Sequence, residues 1–159
     1  MNKKQKGFSL IELLIVVAII LIIAAIAIPN LMRARMSANE SSAAGSVRTI
    51  NTGEVSYAAA YPSVGFTALA TLGGGIPCTP QPTSGCFIDN VLAQGAKEGY
   101  SFAAVGATPV NGANTTYTSL GSPASLNQTG TRSFCSDQTG VIYYTVNSTA
   151  CDNTGSVLQ

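Results

Sequence analysis

The chain has 159 residues, of which 46% are hydrophobic and only 9% charged, with a net charge of +1. That length supplies one domain's worth of core, and the charge balance offers no strongly basic field for nucleic acid. Histidine and tryptophan are absent, which excludes Ser-His-Asp and Cys-His catalysis, histidine metal sites and histidine-ligated haem.

The averages hide an asymmetry. Six of the eight basic residues lie in the first 50 positions. Residues 51–159 hold Lys97 and Arg132 against Glu54, Asp89, Glu98, Asp137 and Asp152, a charge of −3. Ser and Thr number 32, so hydroxyls rather than charges solvate much of this surface.

Residues 1–7, MNKKQKG, are short and basic. Leu13 to Met32 is a run of twenty uncharged residues rich in Ile, Leu, Val and Ala. As a helix it spans about 30 Å, the thickness of a bilayer's hydrocarbon core. Pro29 is predicted to bend this helix and free a backbone carbonyl without stopping it. Beyond Arg33 and Arg35 the helical pattern continues to about Tyr61, where Pro62 offers a stop. Met36, Ala43, Val47, Ile50, Tyr57 and Tyr61 form one stripe, and Ala44, Val47, Asn51, Val55 and Ala58 an overlapping second one. That broad, small-residue face suits packing on the chain's own domain, or packing on neighbouring copies as well. Gly45 and Gly53 weaken the helix but permit close approach.

Residues 62–85 are predicted to be loop, with Gly73-Gly74-Gly75, Pro77, Pro80 and Pro82. Cys86 to Lys97 is a candidate short helix. The remainder reads as strands at Tyr100–Val105, Thr115–Leu120, Thr131–Ser136 and Val141–Val146, with Asp137-Gln138-Thr139-Gly140 as a hairpin turn between the last two. Such a run predicts an antiparallel sheet, and its apolar face needs a partner. The second half of the long helix is the large candidate. The expected fold class is therefore α+β: a long N-terminal helix, transmembrane in its first half and amphipathic in its second, packed on a small antiparallel sheet.

The N-terminus admits three readings. Lys3, Lys4 and Lys6 before an apolar run, with Ala25-Ile26-Ala27 as a cleavage site, suit a secretory signal peptide. The run is longer than such signals use, however, and Glu12 stands at its front edge. A plain single-span anchor explains the length and gives Glu12 no purpose. The third reading starts from Glu12: a carboxylate abutting a spanning helix is costly and usually has a partner. None of the next twenty residues can be a cation for it. The leader lysines can, and so can a new amine made by cutting the chain nearby.

Gly7-Phe8-Ser9-Leu10-Ile11-Glu12, the apolar run after it, and Ala27-Ile28-Pro29-Asn30 together resemble the N-terminus of type IV pilins and their relatives. The resemblance covers residues 3–35 closely and the long-helix pattern to about 60. It implies a leader, 1–7, removed by a prepilin peptidase after Gly7, and N-methylation of the new terminus at Phe8. It implies that Glu12 guides filament assembly by pairing with the terminal amine of a neighbour. Residues 8–32 then form the transmembrane and filament-core half of the helix, 33–61 its amphipathic half, and 62–159 a globular head. The implied partners are copies of the chain itself, the peptidase, the inner-membrane assembly machinery and, before assembly, the membrane. The implied location is the inner membrane with a periplasmic head, then a surface filament. Lys3, Lys4 and Lys6 argue for a cytoplasmic N-terminus, although Arg33 and Arg35 flank the far side.

The four cysteines, all after residue 77, favour disulfides in an oxidising compartment. Three pairings are open. Cys78–Cys86 with Cys135–Cys151 is the local set and the expected one, and the Cys135–Cys151 loop resembles the disulfide-closed C-terminal region of many pilins. The spacings lack the compactness of a zinc site, so no metal is expected. The Tyr and Phe residues are expected in strand cores rather than stacking on bases. Sequons begin at Asn39, Asn114, Asn127 and Asn147, weak signals where Ser and Thr are so common. The expectation is a structural major pilin, without catalytic residues or cofactor, that serves adhesion, twitching motility or DNA uptake. The alternatives are a minor pilin, a pseudopilin of a type II secretion system, and a single-span membrane protein with a periplasmic binding domain.

Overall fold

A computed structural model describes residues 8–158. The leader residues named above, Gly7 among them, lie outside the described part. The chain divides into two compact units between Arg35 and Met36. Helix α1, Leu10–Ala60, contributes its first part to one unit and its remainder to the other, and is assigned without a break through Pro29. Pro29 has no N–H to give, so the carbonyl of Ala25 lacks its usual helical donor.

In the first unit, every residue from Leu10 to Arg35 is exposed except Ala24, which is partly covered. Side chains such as Leu14, Ile20, Ile26 and Leu31 stay more than half exposed.

In the second unit, the rest of α1 packs on a six-stranded antiparallel sheet in sequential order β1 to β6. The strands are β1 Ala96–Lys97, β2 Tyr100–Val110, β3 Ala113–Pro123, β4 Arg132–Asp137, β5 Ile142–Val146 and β6 Ser156–Val157. Two four-residue helices, α2 Leu69–Leu72 and α3 Asn90–Ala93, lie between α1 and the sheet in sequence. Strand β2 alternates as a half-buried strand should, with Tyr100, Phe102 and Ala104 inward and Ser101, Ala103 and Val105 outward. Strand β4 does not alternate, since Ser133 to Ser136 are all buried. Its outer side is covered by the C-terminal segment, through the Cys135–Cys151 disulfide and a bond from Ser133 Oγ to the Ser148 carbonyl.

On α1 the core residues are Ala43, Ala44, Val47, Ile50 and Tyr57, joined by the polar Glu40, Ser46, Asn51 and Glu54. Four details of the sequence reading need correction. Val55 is 59% exposed and stands off the expected stripe. Gly53 does allow close approach, for a Cβ there would meet Ile88 Cγ2 at 2.8 Å, but Gly45 faces open space. The stretch 62–85 is not all loop, because Leu69 and Leu72 form α2 and bury both leucines. Cys86–Lys97 is not one helix. Cys86 has φ +62° and cannot begin one, the Asp89 carboxylate caps α3 by accepting the Leu92 N–H, and Gly95 at φ +81° ends the turn before β1.

Candidate functional site

The sequence places function at the start of α1, and the structure gives that start a specific geometry. Phe8 is 79% exposed. Ser9 precedes the first helical residue, and its carbonyl accepts the Leu13 N–H. The Ser9 N–H donates to Glu12 Oε2 at 2.9 Å. Glu12 thus reaches back over the helix end as the acidic half of a capping box, covering one of the N–H groups a helix leaves unpaired. Its negative charge also suits the positive end of the helix dipole. The sequence reading sought a cation for Glu12 and missed this partner, although Ser9-x-x-Glu12 before an apolar run is the signature of such a cap.

Behind this cap the helix is long and apolar enough to cross a membrane, and none of its most apolar stretch is buried in the protein. Glu12 is thereby the sole charged side chain between Phe8 and Met32.

In the second unit, polar groups tie α1 to the sheet. Glu40 Oε2 pairs with Arg132 Nε at 2.9 Å, and Glu40 Oε1 accepts both the Thr131 N–H and its hydroxyl at 2.7 Å. One residue earlier, Asn39 Nδ2 donates to the Thr129 carbonyl. Asn51 Nδ2 donates to Ser136 Oγ at 2.8 Å while its carbonyl oxygen accepts from Ser119 Oγ. These bonds hold the helix at one axial position, which apolar contacts alone do less sharply.

Glu54 is fully buried. Its Oε2 accepts the Thr67 N–H at 3.0 Å, while Oε1 has no partner among the described residues, and neither has the buried Tyr117 hydroxyl. Burial pushes the Glu54 carboxyl up to about 7, against the opposing pull of the Thr67 N–H. Burial, and then the nearby Glu54 charge, push Tyr117 up to about 12. Sequence reasoning missed both buried glutamates; their one trace is their position, seven residues either side of Val47 on the core face of the helix.

The cysteines are paired Cys78–Cys86 and Cys135–Cys151, with Cα–Cα distances of 6.0 and 5.7 Å. The first closes a loop whose Pro82 carbonyl accepts the Tyr57 hydroxyl. Among the described residues no group of three or more acidic or cysteine side chains is placed to hold a metal ion. Among the described residues of the second unit, two open grooves lie beside α1 and two more lie against the C-terminal segment around Cys151 and Asp152.

A comparison with protein families matches residues 2–28 to the prokaryotic N-terminal methylation motif. Over 38 residues the chain is 63% identical to the type IV wide pilus major component PilA4 of Thermus thermophilus. Residues 2–28 carry the methylation motif of type IV pilins. The stretch similar to PilA4 is 24% of this chain and 29% of that protein. Over 56 residues the chain is 45% identical to the type IV major pilin protein PilA of Myxococcus xanthus, 35% of this chain and 26% of that protein. The similarity therefore spans under a third of either relative's length. No solved structure matches. The motif takes in Gly7, Phe8, Glu12 and the apolar run as far as Ile28, and α1 followed by an antiparallel sheet agrees with a pilin fold.

Proposed function

We propose that the chain is a structural subunit of a type IV pilus, held in the membrane by the first part of α1 and then polymerised through it into a surface filament. The observation that carries this reading is the methylation motif at the head of a helix whose apolar stretch is uncovered by its own chain. Two environments cover such a surface: lipid before assembly and the helices of other copies afterwards.

In this reading the peptidase cuts between Gly7 and Phe8, and Phe8 is N-methylated. Cutting removes Lys3, Lys4 and Lys6, cations that otherwise enter the apolar filament core. It also creates an amine at Phe8. In the stored subunit, Glu12 is held by the Ser9 N–H of its own chain. In a filament, the amine of a neighbouring Phe8 meets the same carboxylate. An unpaired carboxylate in that setting is penalised by several kcal/mol, which pairing offsets in large part. Docking in the right register is thereby favoured, and only after processing. Residues 62–159 form the coat of the fibre.

The test expresses each variant as the sole copy in the native cell. Intact mass of the wild type should show loss of residues 1–7 and one added methyl group. Glu12→Ala and Glu12→Gln should be processed normally yet yield few or no filaments. Glutamine keeps an acceptor for Ser9 N–H, so its failure isolates the charge from the cap. Wild-type filaments that lack this chain, or a mature chain beginning at Ile28, would overturn the reading.

A further inference from the structure

Every charged side chain of residues 36–158 has a partner or a place in the core, with two exceptions. Arg132 pairs with Glu40, and Lys97 with Asp89 at 3.3 Å. Asp137 accepts the N–H and hydroxyl of Thr139 and a bond from Asn153, and Asp152 accepts both from Thr154. Glu54 is buried against Thr67. Arg48 and Glu98 remain, both exposed and without an ion pair or side-chain hydrogen bond among the described residues.

The two stand in different settings. Arg48 lies where two hollows of about 240 and 520 Å³ meet along the side of α1. Phe134, Ile142 and Leu158 are among the residues lining them. Thr52, one turn on from Arg48, lines the second hollow, and the exposed Val55 follows on the same helical face. The groove runs beside β6, a two-residue strand at one margin of the sheet.

Glu98 lies in the turn joining β1 to β2, at the opposite margin. Across six strands the margins are about 24 Å apart. Lys97 pairs with Tyr100, so Glu98 and Gly99 are the two residues of a tight hairpin, with φ +48° and +76°. Asn-Gly is the natural choice for such a turn, and a longer side chain works against it. The turn does not explain Glu98.

We propose that the Arg48 groove receives the Glu98 turn of a second copy of this chain. One unpaired cation in an open groove and one unpaired anion on an exposed turn, at opposite margins, make a heterologous contact. A contact of that kind propagates from copy to copy instead of closing on a pair. The carboxylate meets Arg48 at the groove wall, and the turn covers Val55 and the apolar floor. This inference rests on the filament reading above and adds a head-to-head contact to the packing of the apolar helices.

The test uses full-length subunits expressed alone in the native host. Arg48→Glu and Glu98→Arg should each lower filament number about tenfold or more, with processing and subunit level unchanged, and the double swap should restore it. Singles at wild-type filament number, or a double swap that restores nothing while the disulfides map as in wild type, would overturn the contact. Arg48→Lys serves where the charge reversal does not accumulate. Carbodiimide treatment of its intact filaments should join the new amine at 48 to Glu98 of another copy, and its absence from the peptide map refutes the contact. Filaments free of this chain would instead overturn the filament reading.

Discussion

Glu54→Gln changes one atom in the core and should raise stability at neutral pH. The Glu54 carboxyl is fully buried, holds one N–H and leaves Oε1 without a partner. Its pKa rises from 4.5 to about 7, with burial as the main cause. Below about pH 4.5 both folded and unfolded chains carry the proton, and the group contributes nothing to the balance. Between about 4.5 and 7 the unfolded chain has lost the proton and the folded chain keeps it, so stability falls as pH rises. Above about 7 both states are ionised and the whole penalty is present, about 3 kcal/mol. Glutamine has no proton to lose. Its carbonyl still accepts Thr67 N–H, and its amide places no charge in the core. The detergent-solubilised full chain, unfolded by heat and followed by tyrosine fluorescence, should show a variant Tm roughly 10 °C higher at pH 8. The difference should shrink toward zero at pH 4. A variant less stable at every pH, with a curve parallel to wild type, would refute the argument. It would mean that Glu54 is ionised and that its charge is needed.

Two further outcomes follow from covalent and ionic ties in the second unit. Replacing Cys135 and Cys151 together by Ser opens a loop of sequence separation 16; on the chain-entropy account it should cost about 3 kcal/mol, read by denaturant unfolding. Arg132→Met leaves the buried Glu40 with its two bonds from Thr131 but no cation. It should cost about 1–3 kcal/mol in the same assay. Adding Glu40→Gln should recover part of that loss, and strict additivity of the two changes would show that the pair is not coupled.

Much of α1 was legible because it is written in local terms. An uncharged run of twenty residues and Pro62 as a stop are properties of neighbouring residues, and so is the capping box at Ser9-x-x-Glu12 that the sequence reading passed over. The same holds for the hairpin at Asp137-Gln138-Thr139-Gly140, where the Gly140 N–H bonds to the Asp137 carbonyl. Strands β2 and β3 were read short, since the Asn111-Gly112 dipeptide that joins them went unused. Both of its residues have positive φ, as a tight hairpin requires.

The sequence by itself determined the apolar helix, its capped acidic start and the order of helix before strands, because each depends on spacing along one segment. Only the tertiary structure decided which side chains of α1 are core. Val55 fits the apolar stripe and is exposed, while Glu40 and Glu54 break it and are buried. The difference lies in what each meets across the fold: Thr131 and Arg132 at the start of β4, and the Thr67 N–H after α1. Those partners lie 91, 92 and 13 residues away, beyond the reach of any periodic pattern. Burial of a charge depends on whether a donor is waiting where the chain returns, and that is a property of the assembled fold.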